Sequence, residues 1–212
     1  MNKAVIISGF LHNLSDNIIP FLDKDTTLCV HTWNTQDNAR WINKLNRYKK
    51  YCKELFFVAE DLTDQEKLMS YFYSTSQAYS LIKSDCDIVI KFKPNIDTDI
   101  IPYSGDLNKF YTKAKVQCRP ILNDTTIDSC IFGKTYYRTL DERVFSGTKL
   151  AFDKIFTTFK YKDALELNKE LINEYGKGYE GSIFWTEFIE STGIKIIEDT
   201  DLIIANNKEH EK

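Results

Sequence analysis

The chain has 212 residues, of which 42% are hydrophobic and 14% aromatic, and a formal net charge of −3. Its aromatic side chains supply ample area to bury and exclude an intrinsically disordered chain, while only 4 Pro and 8 Gly exclude a collagen-like or proline-rich scaffold. The slightly acidic balance excludes a protein that coats nucleic acid through bulk charge, and the longest apolar runs are strand-sized, so no transmembrane span is expected.

The opening Met1-Asn-Lys-Ala-Val-Ile-Ile-Ser-Gly is too short in its apolar part for a signal peptide. Five cysteines, at positions 29, 52, 86, 118 and 130, form no CxxC and read as reduced thiols. Four lie in apolar runs and are expected in the core; Cys52, in a charged stretch, is the expected exposed thiol. His12, His31 and His210 are too scattered for a zinc site. The expectation is a cytoplasmic protein with one domain over residues 1–205 and a polar tail over 206–212.

Residues 4–8 read as a buried strand, followed by Gly9 and a short helical stretch limited by Pro20. Residues 27–31 form a second strand, 39–51 a basic amphipathic helix and 55–59 a third strand. Thr63-Asp-Gln-Glu66 has capping-box spacing and opens a helix to about residue 83, with Leu68, Tyr71, Phe72, Ala78, Tyr79 and Ile82 as its apolar face. Residues 87–93 are a fourth strand. Beyond it, strands are predicted at 115–118, 129–132, 193–197 and 201–204. Helices are predicted at 161–175 and 181–190, with a left-handed break at Gly176-Lys-Gly178. Such an alternation predicts an α/β fold whose central sheet is mainly parallel and covered by helices on both faces. In sheets of this kind, ligands sit at the carboxyl ends of the strands.

The fourth strand runs into Pro94, and Asn95, Asp97 and Asp99 then alternate through the following turn. Alternate oxygen-bearing residues there can hold Mg²⁺ or Mn²⁺, which bridges the phosphates of a nucleotide diphosphate. The same residue types also serve an ordinary turn. A second stretch, Arg40 to Lys53, has six cations among fourteen residues and no acid, with Trp41, Tyr48 and Tyr51 interleaved. It can contact a phosphate backbone, or it is a solvated helix whose Trp41, Ile42 and Leu45 pack on the sheet.

Four segments carry a family resemblance: Ala4-Val-Ile-Ile-Ser-Gly-Phe-Leu-His-Asn, Val30-His-Thr-Trp33, Asp87-Ile-Val-Ile-Lys-Phe-Lys-Pro-Asn-Ile and Leu140-Asp-Glu-Arg-Val-Phe-Ser-Gly. Together they resemble GT-A-like sugar-nucleotide glycosyltransferases, in particular the WavE-type lipopolysaccharide transferases and their relatives in phages and large viruses. The resemblance implies a GT-A fold, a nucleotide-sugar donor (UDP-linked by expectation) and a divalent cation, Mn²⁺ or Mg²⁺. It matches Ser8 and Gly9 to the donor-nucleotide loop, and Asn95 and Asp97 to the acidic metal and phosphate motif. Asp141 matches the later acidic position and Glu180 the carboxylate that opens a late helix. His12 stands where an Arg is common, Lys93 replaces the Arg before Pro, and Asn95 replaces an Asp, leaving Asp97 and Asp99 as the candidate metal carboxylates. Glu180 or Asp141 would act as base toward an acceptor hydroxyl, although a carboxylate at a helix start also serves as a cap.

The acceptor expected from this resemblance is the hydroxymethylated base of phage DNA, in a host cytoplasm, with Arg40, Arg47, Lys49 and Lys50 on the duplex. The alternatives are a surface-polysaccharide acceptor, or a catalytically inactive relative that binds nucleic acid or a partner protein.

Overall fold

β1 (Lys3–Ser8) and β2 (Thr26–Trp33) are buried along their whole length, as strands covered on both faces must be. β3 (Glu54–Glu60) is half-buried beside them, and β4 (Ile88–Phe92) is again fully buried. The second half adds β5 (Val116–Ile121), β6 (Thr139–Thr148) and β7 (Ile196–Glu198). This architecture comes from a computed structural model that describes residues 2–12, 14–36, 38–62, 67–83, 85–94, 116–121, 139–158, 161–177, 181–194 and 196–198.

The seven strands form one sheet in the order β3-β2-β1-β4-β6-β5-β7. β1 pairs parallel with both β2 and β4, β2 with β3, and β5 with β7; β6 alone runs antiparallel to its neighbours β4 and β5. The sheet is therefore mainly parallel, as expected. After stepping outward from β1 to β3, the chain crosses back to place β4 on the other side of β1. The order reverses between β1 and β4, which is where an open α/β sheet leaves a crevice at its carboxyl edge.

β6 has no counterpart among the predicted strands. Asp141, Glu142 and Arg143 interrupt its hydrophobic pattern, and it is the pairing of residues 144–148 with all of β4 that makes it a strand. The strands expected at 129–132 and 201–204, the capping box at 63–66 and the tail at 206–212 lie outside the described residues.

Side-chain alternation splits the core in two. Val5, Ile7, Leu28, Val30, Ile88, Ile90 and Phe92 face α1 (Asn38–Tyr48) and a 3₁₀ turn (Asp16–Phe21), packing on Leu45, Tyr48 and Ile18. Ala4, Ile6, Cys29 and Val89 face the other layer. That layer comprises α2 (Lys67–Ser80), α3 (Lys149–Asp153, continued by a π-helical turn, Lys154–Thr158), α4 (Tyr161–Tyr175) and α5 (Gly181–Ser191). α5 buries Phe184, Trp185, Phe188 and Ile189, and Phe188 meets Phe72 of α2 edge-on with ring centroids 4.8 Å apart. α4 ends at Gly176, whose φ of 87° forms the expected left-handed cap.

α1 is more firmly built into the fold than its charge suggests. Lys44 reaches back to the Leu14 carbonyl and lies 3.2 Å from Asp16. The Tyr48 hydroxyl sits 2.9 Å from the Ser15 carbonyl and 3.0 Å from Asp16 Oδ1. Burial alone would raise the Asp16 pKa, but hydrogen bonds from Lys44 and Tyr48 and the Lys44 and Arg47 charges hold it below the ordinary value. Tyr48 is 1% exposed, so it offers no stacking surface. Cys52 is also buried, contrary to expectation: the turn after α1 folds it beneath the helix end, and burial raises its thiol pKa.

Phe188→Ala should remove a side chain at the centre of the aromatic layer and cost about 3–5 kcal/mol. Leu150→Ala, at a position 68% exposed, should stay within about 0.5 kcal/mol of the parent. Urea unfolding of the two variants measures both, and equal costs would contradict this placement of the core.

Candidate functional site

At the end of β1, Gly9 turns with φ of 104° and donates its N–H to the Ser74 hydroxyl (2.7 Å) and to the His31 carbonyl (3.2 Å). A Cβ at this position would stand 2.6 Å from Cε1 of Tyr71, so both the dihedral and the space demand glycine. The Lys93 ammonium lies 4.7 Å from the centroid of the same Tyr71 ring. The loop after β1 is tied across the crevice by Ser15 N–H donating to the Pro94 carbonyl (3.1 Å). Gly9, Tyr71 and Lys93 thus form one wall where the strand order reverses.

Lys91, two residues before Lys93 on the same face of β4, is 4% exposed. Its ammonium lies 5.4 Å from the Phe145 ring and 5.7 Å from the Trp185 ring, whose faces attract a cation that burial would otherwise penalise. Lys91 and Lys93, two residues apart, thus place two cations at the carboxyl end of β4.

A polar chain leads from Gly9 toward β3. The Ser8 hydroxyl is buried and 2.7 Å from Thr75 Oγ1, and Thr75 donates to the Tyr71 carbonyl, so Ser8 donates to Thr75. Ser8 therefore anchors β1 on α2. Ser74 Oγ, accepting from Gly9, lies 2.9 Å from His31 Nδ1. His31 Nε2 faces Glu60 Oε2 at 3.5 Å, and Tyr73 donates to the same oxygen (3.2 Å). Burial lowers the His31 pKa against the opposing pull of Glu60, so the ring is neutral near pH 7. Ser74 Oγ also donates to the His31 carbonyl (3.1 Å), so Gly9, the His31 carbonyl and the His31 ring all meet at this one hydroxyl. Trp33 stacks on Tyr73 with centroids 5.7 Å apart, and Tyr161 meets Tyr73 edge-on at 5.8 Å.

Of the residues picked out from the sequence, Gly9 and Lys93 come together across Tyr71, with Ser8 adjacent but inward. His12 is exposed in the loop after β1, its ring 6.1 Å from Phe10. The register Phe92↔Val144 carries the first half of β6, with Asp141, past the end of β4, to the carboxyl edge of the sheet. Asn95, Asp97, Asp99 and Glu180 lie outside the described residues. Among the described residues, no three His, Cys, Asp or Glu side chains converge as a metal site.

The basic helix divides. Arg40 is in its first turn, close behind the carboxyl end of β2. Arg47, Lys49 and Lys50 belong to its last turn and the bend between α1 and β3, and there Lys24 reaches the Lys50 carbonyl and Lys53 N–H reaches Thr26, the first residue of β2. Thr26 pairs with Lys3, five residues before Ser8. At about 3.3 Å per residue, Lys49 and Lys50 are therefore roughly 16 Å down the strands from Ser8, at the opposite edge of the sheet.

Sequence reasoning missed Tyr71, Ser74, Glu60, His31 and Lys91. Lys91 left one readable signal, a lysine inside an otherwise apolar strand. Ser74 and Tyr71 left none, since a helix commonly carries both types.

Gly9→Ala should cost about 1–3 kcal/mol through the left-handed dihedral and the Tyr71 clash; an unchanged melting midpoint would contradict the close approach. A second expectation concerns pH. The His31 pKa lies below the 6.5 of a free imidazole, so the unfolded chain takes up that proton more readily. Stability should fall as pH drops from 6.5 toward the folded value. Urea titrations at pH 7.5 and 5.5 should show a smaller loss in His31→Gln than in the parent; identical losses would remove His31 from the account.

No family model matches the chain, and no characterised protein matches it in sequence. Solved structures do match in fold. The glycosyltransferase GlyE of Streptococcus pneumoniae TIGR4 superposes with a TM-score of 0.53 at 9% identity, over 94% of this chain and 46% of GlyE. Its apo form gives 0.56 at 10% identity, over 95% and 46%. Mouse xyloside xylosyltransferase 1 in its apo form gives 0.52 at 10% identity, over 93% of this chain and 84% of that enzyme. The chain spans about half the length of GlyE. At these identities the likeness is one of fold, and the fold is the GT-A-like α/β architecture of glycosyltransferases.

Proposed function

We propose that this chain is a glycosyltransferase that moves a sugar from a nucleoside diphosphate donor to an acceptor hydroxyl. The observation that carries the reading is the wall formed by Gly9, Tyr71 and Lys93 at the reversal of strand order, in a fold shared with glycosyltransferases. A diphosphate placed there meets the Lys93 ammonium, with the Lys91 charge behind it, as negative charge builds on the leaving group. Asn95, Asp97 and Asp99 follow directly after Pro94 and would hold Mn²⁺ or Mg²⁺, which neutralises the departing diphosphate. The base toward the acceptor hydroxyl is Asp141 or Glu180, and the backbone course of β6 supports Asp141 by bringing it to the same edge.

For the acceptor, the positions of the cations favour a glycan hydroxyl over a hydroxymethylated base in duplex DNA. Of the proposed duplex contacts, Arg40 lies near the site, whereas Lys49 and Lys50 belong to the far edge of the sheet. Tyr48, one of the aromatics that would stack, is in the core.

The test is incubation with UDP- and GDP-sugars, with and without Mn²⁺, following donor hydrolysis and calorimetric binding. Donor binding is expected, with Lys93→Ala weakening it by about 10-fold or more, the scale of one hydrogen bond to a charged group. Offered hydroxymethylcytosine-containing DNA, plain DNA and oligosaccharides, the enzyme should transfer to the oligosaccharides. Silence across all donors would overturn the reading, and transfer confined to hydroxymethylated DNA would reverse the choice of acceptor.

A further inference from the structure

Glu60 closes β3 with its side chain 38% exposed, yet it is held from beneath by two groups. Tyr73 donates to Oε2, and His31, whose own side chain is fully buried, aims Nε2 at the same oxygen from 3.5 Å without closing to a hydrogen bond. Both therefore face Oε2, and among the described residues no donor takes Oε1. The glutamate backbone is fixed as well, its carbonyl accepting from Asn34 N–H at 2.7 Å. Among the described residues Nε2 of His31 has no hydrogen-bond partner, so a buried ring nitrogen stands unsatisfied beside this carboxylate. The arrangement is that of an acceptor oriented in advance for a donor arriving from outside.

The place of Glu60 limits what that donor is. β3 lies two strand spacings from β1, about 10 Å at roughly 4.8 Å each. A nucleoside whose phosphates lie at the β1–β4 crevice and which extends across β2 brings its base, rather than its ribose, to the end of β3. A carboxylate there suits a ring N–H, as in uracil or guanine. The matching ring nitrogen of cytosine or adenine carries a lone pair, which a carboxylate repels.

We infer that Glu60, positioned by His31 and Tyr73, is the base-selecting residue of the donor site and accepts the ring N–H of a uracil or guanine nucleotide. This rests on the glycosyltransferase reading above. Ser74 links Gly9 to His31 by hydrogen bonds, and the His31 ring stands 3.5 Å from Glu60, so the base-selecting end and the phosphate end of the site are neighbours across β2.

The experiment is calorimetric titration of the full chain with UDP, GDP, CDP and ADP in the presence of Mn²⁺, repeated with Glu60→Gln and Tyr73→Phe. The parent should bind UDP or GDP at least about 10-fold more tightly than CDP and ADP, the scale of one charge-assisted hydrogen bond. Glu60→Gln, which keeps the size and can turn an N–H outward, should bring the four within about 3-fold of one another without moving the melting midpoint. Tyr73→Phe keeps the carboxylate but loosens it, so it should lower the preference only partly, and it gives the answer should Glu60→Gln fail to fold. A parent that binds the four equally, or a Glu60→Gln variant that keeps the full preference, overturns this inference and leaves the glycosyltransferase reading standing. A Tyr73→Phe variant as selective as the parent overturns the positioning role. A parent that binds none of the four overturns both.

Discussion

One peptide at the end of β1 governs the arrangement of the site. Gly9 can sit against the Tyr71 ring only because it lacks a Cβ, and its N–H is taken by Ser74 and the His31 carbonyl. That close approach draws α2 down onto the carboxyl ends of β1 and β2. It also lets Tyr71 present its ring to Lys93, and lets Ser74 and Tyr73 meet His31 and Glu60. If a side chain pushed Tyr71 away from β1, the cation at the end of β4 and the carboxylate at the end of β3 would lose their common support.

The rest of the fold makes that edge stiff. The buried strands β1, β2 and β4 are clamped between the aromatic layer of α2, α4 and α5 and the smaller layer of α1 and the 3₁₀ turn. Loops over such a sheet carry little packing of their own, so their course depends on ties such as Ser15 to Pro94 and Lys44 to Leu14 and Asp16. Of the cations of α1, Lys44 is thereby structural, while Arg40 and Arg47 are exposed.

The first four strands were legible because each is an apolar run of strand length, and Gly176 was legible as a cap because glycine there has a single mechanical use. β6 was not, since its register with β4 outweighs the three consecutive charges that begin at Asp141. The sequence reading picked Gly9 and Lys93 at the carboxyl edge, and the two meet across Tyr71. It picked Ser8 as well, whose hydroxyl pairs with Thr75, since a serine at a strand end reads the same whether it faces a ligand or a helix. It also passed over Glu60 and His31. Nothing local distinguishes a glutamate at a strand end, and its significance arises only when β2 brings an imidazole beside it and α2 a phenol.

The central claim is that the reversal of strand order between β1 and β4 receives the diphosphate of a nucleotide. The most direct measurement is a crystal structure of the chain with UDP and Mn²⁺. The account predicts phosphate oxygens within hydrogen-bond reach of Lys93 Nζ at the carboxyl ends of β1 and β4. A nucleotide bound with its phosphates elsewhere, such as along Lys49 and Lys50 at the opposite edge, would contradict it.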